Sequence, residues 1–122
     1  MVVELNTVEE FAQAINDDKK KLVVIDFFTT WCGPCKIIGP RFAKMAEKYP
    51  DHGFYKINAD NPSLAEVTEA CMIKSLPTFC YFYNGKYIDN VVGANEQNIE
   101  KALLDLAAKP PVEPAAKESE NK

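Results

Sequence analysis

The segment Leu22–Phe28 reads Leu-Val-Val-Ile-Asp-Phe-Phe, an almost unbroken β-branched and aromatic run. A strand wetted on one face alternates apolar and polar residues, and this one does not. It therefore predicts a strand covered on both faces, as in an α/β sheet with helices above and below. The flanking sequence supplies those helices. Thr7 and Glu10 have capping-box spacing, and Val8, Phe11 and Ile15 follow at helical intervals. A second helix is predicted over Pro34–Lys48, with Ile38, Phe42, Met45 and Tyr49 on its buried face. Pro40 lies inside it and is expected to kink it.

The remaining elements complete the pattern. Val2–Leu5 and Phe54–Asn58 read as strands, and Ser63 with Glu66 suggests a second capping box opening a short helix to about Ala70. Thr78–Tyr83 and Tyr87–Val92 flank Asn84-Gly85, a strong hairpin signal because both turn residues tolerate positive φ. Asn95 is placed to cap a final helix with Ile99, Leu103 and Leu106 on its apolar face. The order β-α-β-α-β-α-β-β-α implies parallel pairing early and an antiparallel edge late. The expected architecture is a central mixed five-stranded sheet flanked by four helices, forming one domain over residues 1–108. Residues 109–122 are rich in proline and charge, contain no aromatic, and are expected to be a disordered, dispensable tail.

The 122 residues carry a net charge of −4, which argues against nucleic acid as a partner. Met1–Asn6 shows no basic segment followed by an apolar one, and no apolar stretch is long enough to span a bilayer. A cytosolic protein without a membrane role is the expectation. In that compartment thiols are kept reduced, so four cysteines ask for a chemical explanation.

Cys32-Gly33-Pro34-Cys35 stands between the buried strand and the second helix. Unpaired N–H groups and the dipole at a helix N-terminus favour a thiolate, which lowers the cysteine pKa and raises its reactivity. Gly33 permits a tight turn beside the sulfur, and Pro34 occupies an early helical position where its missing donor costs nothing. The spacing lets Cys35 close a disulfide with Cys32. Cys32, expected to be the more exposed, is the candidate nucleophile, and Cys35 the resolving thiol. A zinc site would need a second half, and neither Cys71, Cys80 nor the only histidine, His52, supplies one at the right spacing.

Other residues admit two readings from sequence. Trp31 is a partly buried aromatic at the sheet edge, a flat apolar floor beside the sulfur, or both at once. Asp26 either points to solvent or is a buried carboxyl with a raised pKa that accepts the proton of Cys35. Lys56, on the neighbouring strand, is either solvated or modulates Asp26. Pro77 is an ordinary strand-start proline or the second residue of a cis Leu76–Pro77 bond. Cys80 is expected to be a small buried hydrophobe. Cys71 ends a short helix, where exposure would open it to glutathionylation or intermolecular bonding, with simple packing the stronger reading. His52 is expected to be exposed and inert.

The segment Asp26-Phe-Phe-Thr-Thr-Trp-Cys-Gly-Pro-Cys-Lys36 resembles the active-site signature of the thioredoxin family. The similarity runs over about residues 2–108, through Pro40, Leu76-Pro77-Thr78-Phe79, Asn84-Gly85-Lys86 and Gly93-Ala94-Asn95. The resemblance implies a thioredoxin fold and a protein-disulfide reductase acting as a monomer. It implies that Pro77 is the cis proline, Asp26 the buried acid and Lys56 the lysine beside it. Trp31, Leu76, Pro77, Gly93 and Ala94 would line the groove for a disulfide-containing protein. Electrons would come from NADPH through a flavin-containing thioredoxin reductase, with no cofactor or metal bound to this chain. Thr29 departs from the family's usual alanine, and Leu76 from its usual isoleucine, methionine or threonine. A disulfide oxidase or isomerase, and a redox-gated binding module, are the competing functions. The Gly-Pro dipeptide weighs against the first.

Overall fold

The computed structural model describes residues 1–109; the tail expected to be disordered lies, beyond Lys109, outside the described residues. The strands are β1 (Val3–Glu4), β2 (Val23–Phe28), β3 (Gly53–Asn58), β4 (Thr78–Tyr83) and β5 (Lys86–Val92). The helices are α1 (Val8–Ile15), α2 (Gly33–Lys48), α3 (Ala65–Ala70) and α4 (Glu96–Ala108), with a 3₁₀ turn at Pro62–Leu64. The sheet order is β1-β3-β2-β4-β5. β3 lies parallel to β1 and β2, whereas β4 is antiparallel to β2 and β5. This is the mixed five-stranded sheet that the alternating elements and the closing hairpin imply.

β2 is central and buried on both faces, and its side chains divide the core in two. Val23, Ile25 and Phe27 pack with α1, the 3₁₀ turn and α3 through Ala14, Leu64 and Val67. Leu22 and Val24 point the other way, onto Ile38, Phe42 and Met45 of α2 and Ile99 and Leu103 of α4. On that second face Phe42 sits 5.3 Å from Phe54 and 5.2 Å from Phe79, ring to ring. The Tyr81 hydroxyl donates to the Ile99 carbonyl at 2.7 Å and ties α4 to β4. α2 runs without interruption through Pro40 to Lys48.

Local chemistry explains the element ends. Thr7 caps α1 by accepting from the Glu10 N–H, while the Glu10 carboxylate accepts from the Asn6 N–H at 2.7 Å. Asn95 caps α4 through the Asn98 N–H. Asn84 and Gly85 both adopt positive φ, 51° and 77°, in the β4–β5 hairpin. A Cβ at Gly85 would also stand 2.2 Å from the Asn16 side chain.

Two expectations are corrected. Ser63 and Glu66 do not form a capping box; Asn61 caps the 3₁₀ turn through the Ser63 N–H at 2.9 Å, and α3 starts without a side-chain cap. The asparagine competes because its side chain bonds the backbone two residues on with little strain. His52 is buried rather than exposed, and its Nδ1 accepts from the Leu22 N–H at 3.2 Å. The Gly53 N–H donates to the Leu22 carbonyl beside it, so the imidazole extends the β2–β3 ladder by one acceptor. Burial holds the pKa of His52 below the ordinary histidine value, which keeps that acceptor in place.

Candidate functional site

Register gathers the sequence-predicted residues at one end of the sheet. Phe27 on β2 pairs with Thr78 on β4, and Thr78 pairs with Val92 on β5. The chain leaves β2 there and enters α2 through Trp31 and Cys32. Leu76 and Pro77 lead into β4 at the same end, and Gly93 and Ala94 follow β5. The Gly93 N–H donates to the Pro77 carbonyl at 2.8 Å, fastening these two segments together. Gly93 has φ 104°, a conformation that favours glycine. The Leu76–Pro77 bond is cis, the second of the two readings that the sequence left open.

Cys32 is the N-cap residue of α2, and its Sγ accepts from the Cys35 N–H at 3.1 Å. Gly33 and Pro34 form the first turn, and Cys35 reaches back to Cys32 in a disulfide with a Cα–Cα distance of 5.3 Å. The expectation that Cys32 is the more exposed of the two is corrected: each is 5% exposed. In the disulfide the Cys32 sulfur lies against the first turn of α2, so helix position rather than exposure distinguishes the pair.

Trp31 is 70% exposed, and its indole N–H donates to the Asp60 carboxylate at 2.9 Å. The ring is therefore a largely exposed surface held in place by that bond. Asp60 was not singled out from sequence; it lies 29 positions away and is brought in only by the β2–β3 pairing.

Asp26 is 4% exposed, in register with Lys56 on β3. It faces α2 and shares with Cys35, Lys56 and Pro40 the wall of an open cleft of about 640 Å³. Its Oδ1 has no hydrogen-bond partner among the described residues. Burial raises its pKa to about 7, with the Lys56 ammonium pulling in the opposite direction. Lys56 also lies over the Phe28 ring, 5.4 Å from its centroid. The solvent-facing reading of Asp26 therefore falls. Thr29, where the family usually has alanine, lines the same cleft with its hydroxyl buried and without a hydrogen-bond partner among the described residues.

The arrangement can hold a sulfur as thiolate at a helix N-terminus, close it against a second sulfur, and take up a proton nearby near neutral pH. Among the described residues no group of three or more His, Cys, Asp or Glu side chains could hold a metal ion. Nor is any helix among them long and apolar enough to cross a membrane.

The family model described as Thioredoxin matches residues 2–105. A thioredoxin-like protein of Acanthamoeba polyphaga mimivirus is 54% identical over 104 residues, spanning 85% of this chain and 76% of that protein. Thioredoxin-1 of Saccharomyces cerevisiae is 45% identical over 103 residues, 84% of this chain and 96% of its own length. The crystal structure of a thioredoxin from Malassezia sympodialis superposes with a TM-score of 0.79 at 38% identity, covering 88% of this chain and 91% of that one.

Proposed function

The chain belongs to the thioredoxin family, a family of dithiol–disulfide oxidoreductases that need no bound prosthetic group, and on that premise we propose that it is a monomeric, cytosolic protein-disulfide reductase. Cys32, as thiolate, attacks a disulfide of a protein substrate, and one substrate sulfur leaves as thiolate. Cys35 loses its proton to Asp26 and attacks the Cys32 sulfur of the mixed disulfide. The second substrate sulfur leaves, and the Cys32–Cys35 disulfide remains. Two electrons pass to the substrate, and NADPH returns them through a thioredoxin reductase.

The observation that carries this reading is the Cys32 sulfur at the N-cap of α2, accepting a backbone N–H. The same donor and the helix dipole stabilise the thiolate once the disulfide opens. An acid with a pKa of about 7 in the same cleft as Cys35 suits a proton acceptor working near neutral pH. Lys56 tunes that acid, and Gly33 and Pro34 shape the turn. Trp31, Leu76, Pro77, Gly93 and Ala94 would form the wall against which an extended substrate lies. We also assign the catalytic domain to residues 1–108, with the rest of the chain dispensable.

The test is reduction of insulin disulfides followed by NADPH consumption. Turnover that requires both this chain and a thioredoxin reductase supports the proposal. Turnover sustained only by glutathione would contradict the electron route, and none with any reductant would contradict reductase function.

A further inference from the structure

Two cysteines remain that the mechanism does not use. Cys71 and Cys80 are nine positions apart in sequence, and both belong to the core between the sheet, α1 and α3. That is the face opposite the one covered by α2. Both side chains pack into that one core, and each thiol is the neighbour that most strongly perturbs the other. Cys80 sits mid-strand in β4, opposite Ile25 of β2, and is wholly buried. Its thiol also donates to the Tyr87 hydroxyl at 3.5 Å, and the Asn90 side chain donates to that same hydroxyl at 2.7 Å.

The backbone holds Cys71 over this spot. It is the C-cap residue of α3, followed by Met72 in the left-handed conformation, φ 55°. The Met72 N–H donates to the Glu69 carbonyl at 2.9 Å and the Ile73 N–H to the Thr68 carbonyl at 3.2 Å. This pair of bonds is a Schellman motif, which fixes the direction in which the capping side chain points. A methionine stands at the position where glycine is usual, and the motif forms nonetheless.

We propose that Cys71 and Cys80 are a second dithiol, closed by hydroperoxides into an intramolecular disulfide on the sheet face opposite Cys32 and Cys35. Cys71 retains the pair's only contact with solvent, at 7% exposure against 0% for Cys80. On that ground Cys71 is assigned as the residue that peroxide oxidises first. Its thiolate attacks one peroxide oxygen, the O–O bond breaks, and water leaves once the other oxygen is protonated, giving a sulfenic acid at Cys71. The Cys80 thiol then attacks the Cys71 sulfur, the S–S bond forms, and a second water departs. Two thiols lose two electrons, and one hydrogen peroxide becomes two waters. The neighbouring Cys80 lowers the Cys71 thiol, which suits it as the attacker, while the same contact and burial raise Cys80, so Cys80 gives up its proton to the departing hydroxide only as the S–S bond forms. The ring so closed encloses Leu76 and Pro77, so oxidation on one face tethers a segment at the other pair's end of the sheet.

The test uses the full chain carrying Cys32→Ser and Cys35→Ser, treated with hydrogen peroxide, alkylated under denaturing conditions and digested with trypsin. Lys56, Lys74 and Lys86 place Cys71 and Cys80 in separate peptides, 57–74 and 75–86. The expected result is a cross-linked pair of these peptides that reduction separates. In a further Cys80→Val variant the cross-link is lost and a sulfenic-acid probe labels Cys71. Two outcomes overturn the proposal. One is that both peptides stay fully alkylated at a peroxide dose that oxidises Cys32–Cys35 in the unsubstituted chain. The other is that Cys71 appears only in a disulfide between two copies of the chain.

Discussion

Cys32 and Cys71 are almost equally buried, at 5% and 7% exposure, yet they stand at opposite kinds of helix end. Cys32 is the N-cap of a sixteen-residue helix and accepts a backbone N–H; Cys71 is the C-cap of a six-residue one and is surrounded by its carbonyl end. The first position stabilises a negative sulfur, whereas at the second the helix end opposes one and it is the neighbouring Cys80 thiol that lowers Cys71. The surroundings of the two partner cysteines differ as well. Cys35 shares a cleft with an acid whose pKa is about 7, whereas Cys80 lies in an apolar core beside a thiol and a phenol. Cys32 and Cys71 thus differ in what surrounds the sulfur far more than in how much solvent the residue sees.

The largest effect expected from breaking this contrast is at Cys35. Cys35→Ser should reduce insulin turnover to the uncatalysed rate and trap substrates as mixed disulfides on Cys32, visible on non-reducing gels. Cys71→Ala should leave turnover with reducing NADPH systems intact in the same assay. Asp26→Asn comes next. The folded-state pKa of Asp26 is raised from 3.8 to about 7, so the native state holds a proton that the unfolded chain releases. Its contribution is fully present below about pH 4 and is lost as pH rises to about 7, amounting to on the order of 4 kcal/mol. Urea unfolding should therefore show the asparagine variant more stable than the parent near pH 8, with the difference vanishing near pH 4.

Smaller effects sharpen the picture. Lys56→Met removes the charge that opposes burial, so the titration of Asp26, followed by carboxyl chemical shift, should move to higher pH. On the other face, Met72→Gly relieves the left-handed residue after Cys71 and should raise stability by about 0.5–1 kcal/mol in thermal unfolding. An unchanged or lower melting temperature would show that the Schellman motif carries no strain.

What could be seen in the sequence was whatever local pattern encodes. The run Leu22–Phe28 announces a doubly covered strand because a solvent face would have left polar residues in it. Asn84-Gly85 announces the hairpin because few pairs accept two positive φ values. Cys32 to Cys35 was legible because one short segment holds the whole unit. Asp26 was ambiguous because its environment is made by α2 and β3, which only register brings together. Asp60, His52 and the meeting of Cys71 with Cys80 were hidden for the same reason: each partnership joins distant segments. His52 also misled because it stands in a polar turn, where exposure is the ordinary outcome, and the end of the β2–β3 ladder recruited it instead.

The most direct test of the central claim is the rate of iodoacetamide alkylation of the fully reduced, folded chain as a function of pH, resolved by cysteine through peptide mapping. The expected result is that Cys32 reacts first, with a midpoint well below the ordinary thiol value of about 8.5, while Cys71, at nearly the same burial, lags far behind. A Cys32 midpoint at or above that value, or Cys71 reacting as fast as Cys32, would contradict the account.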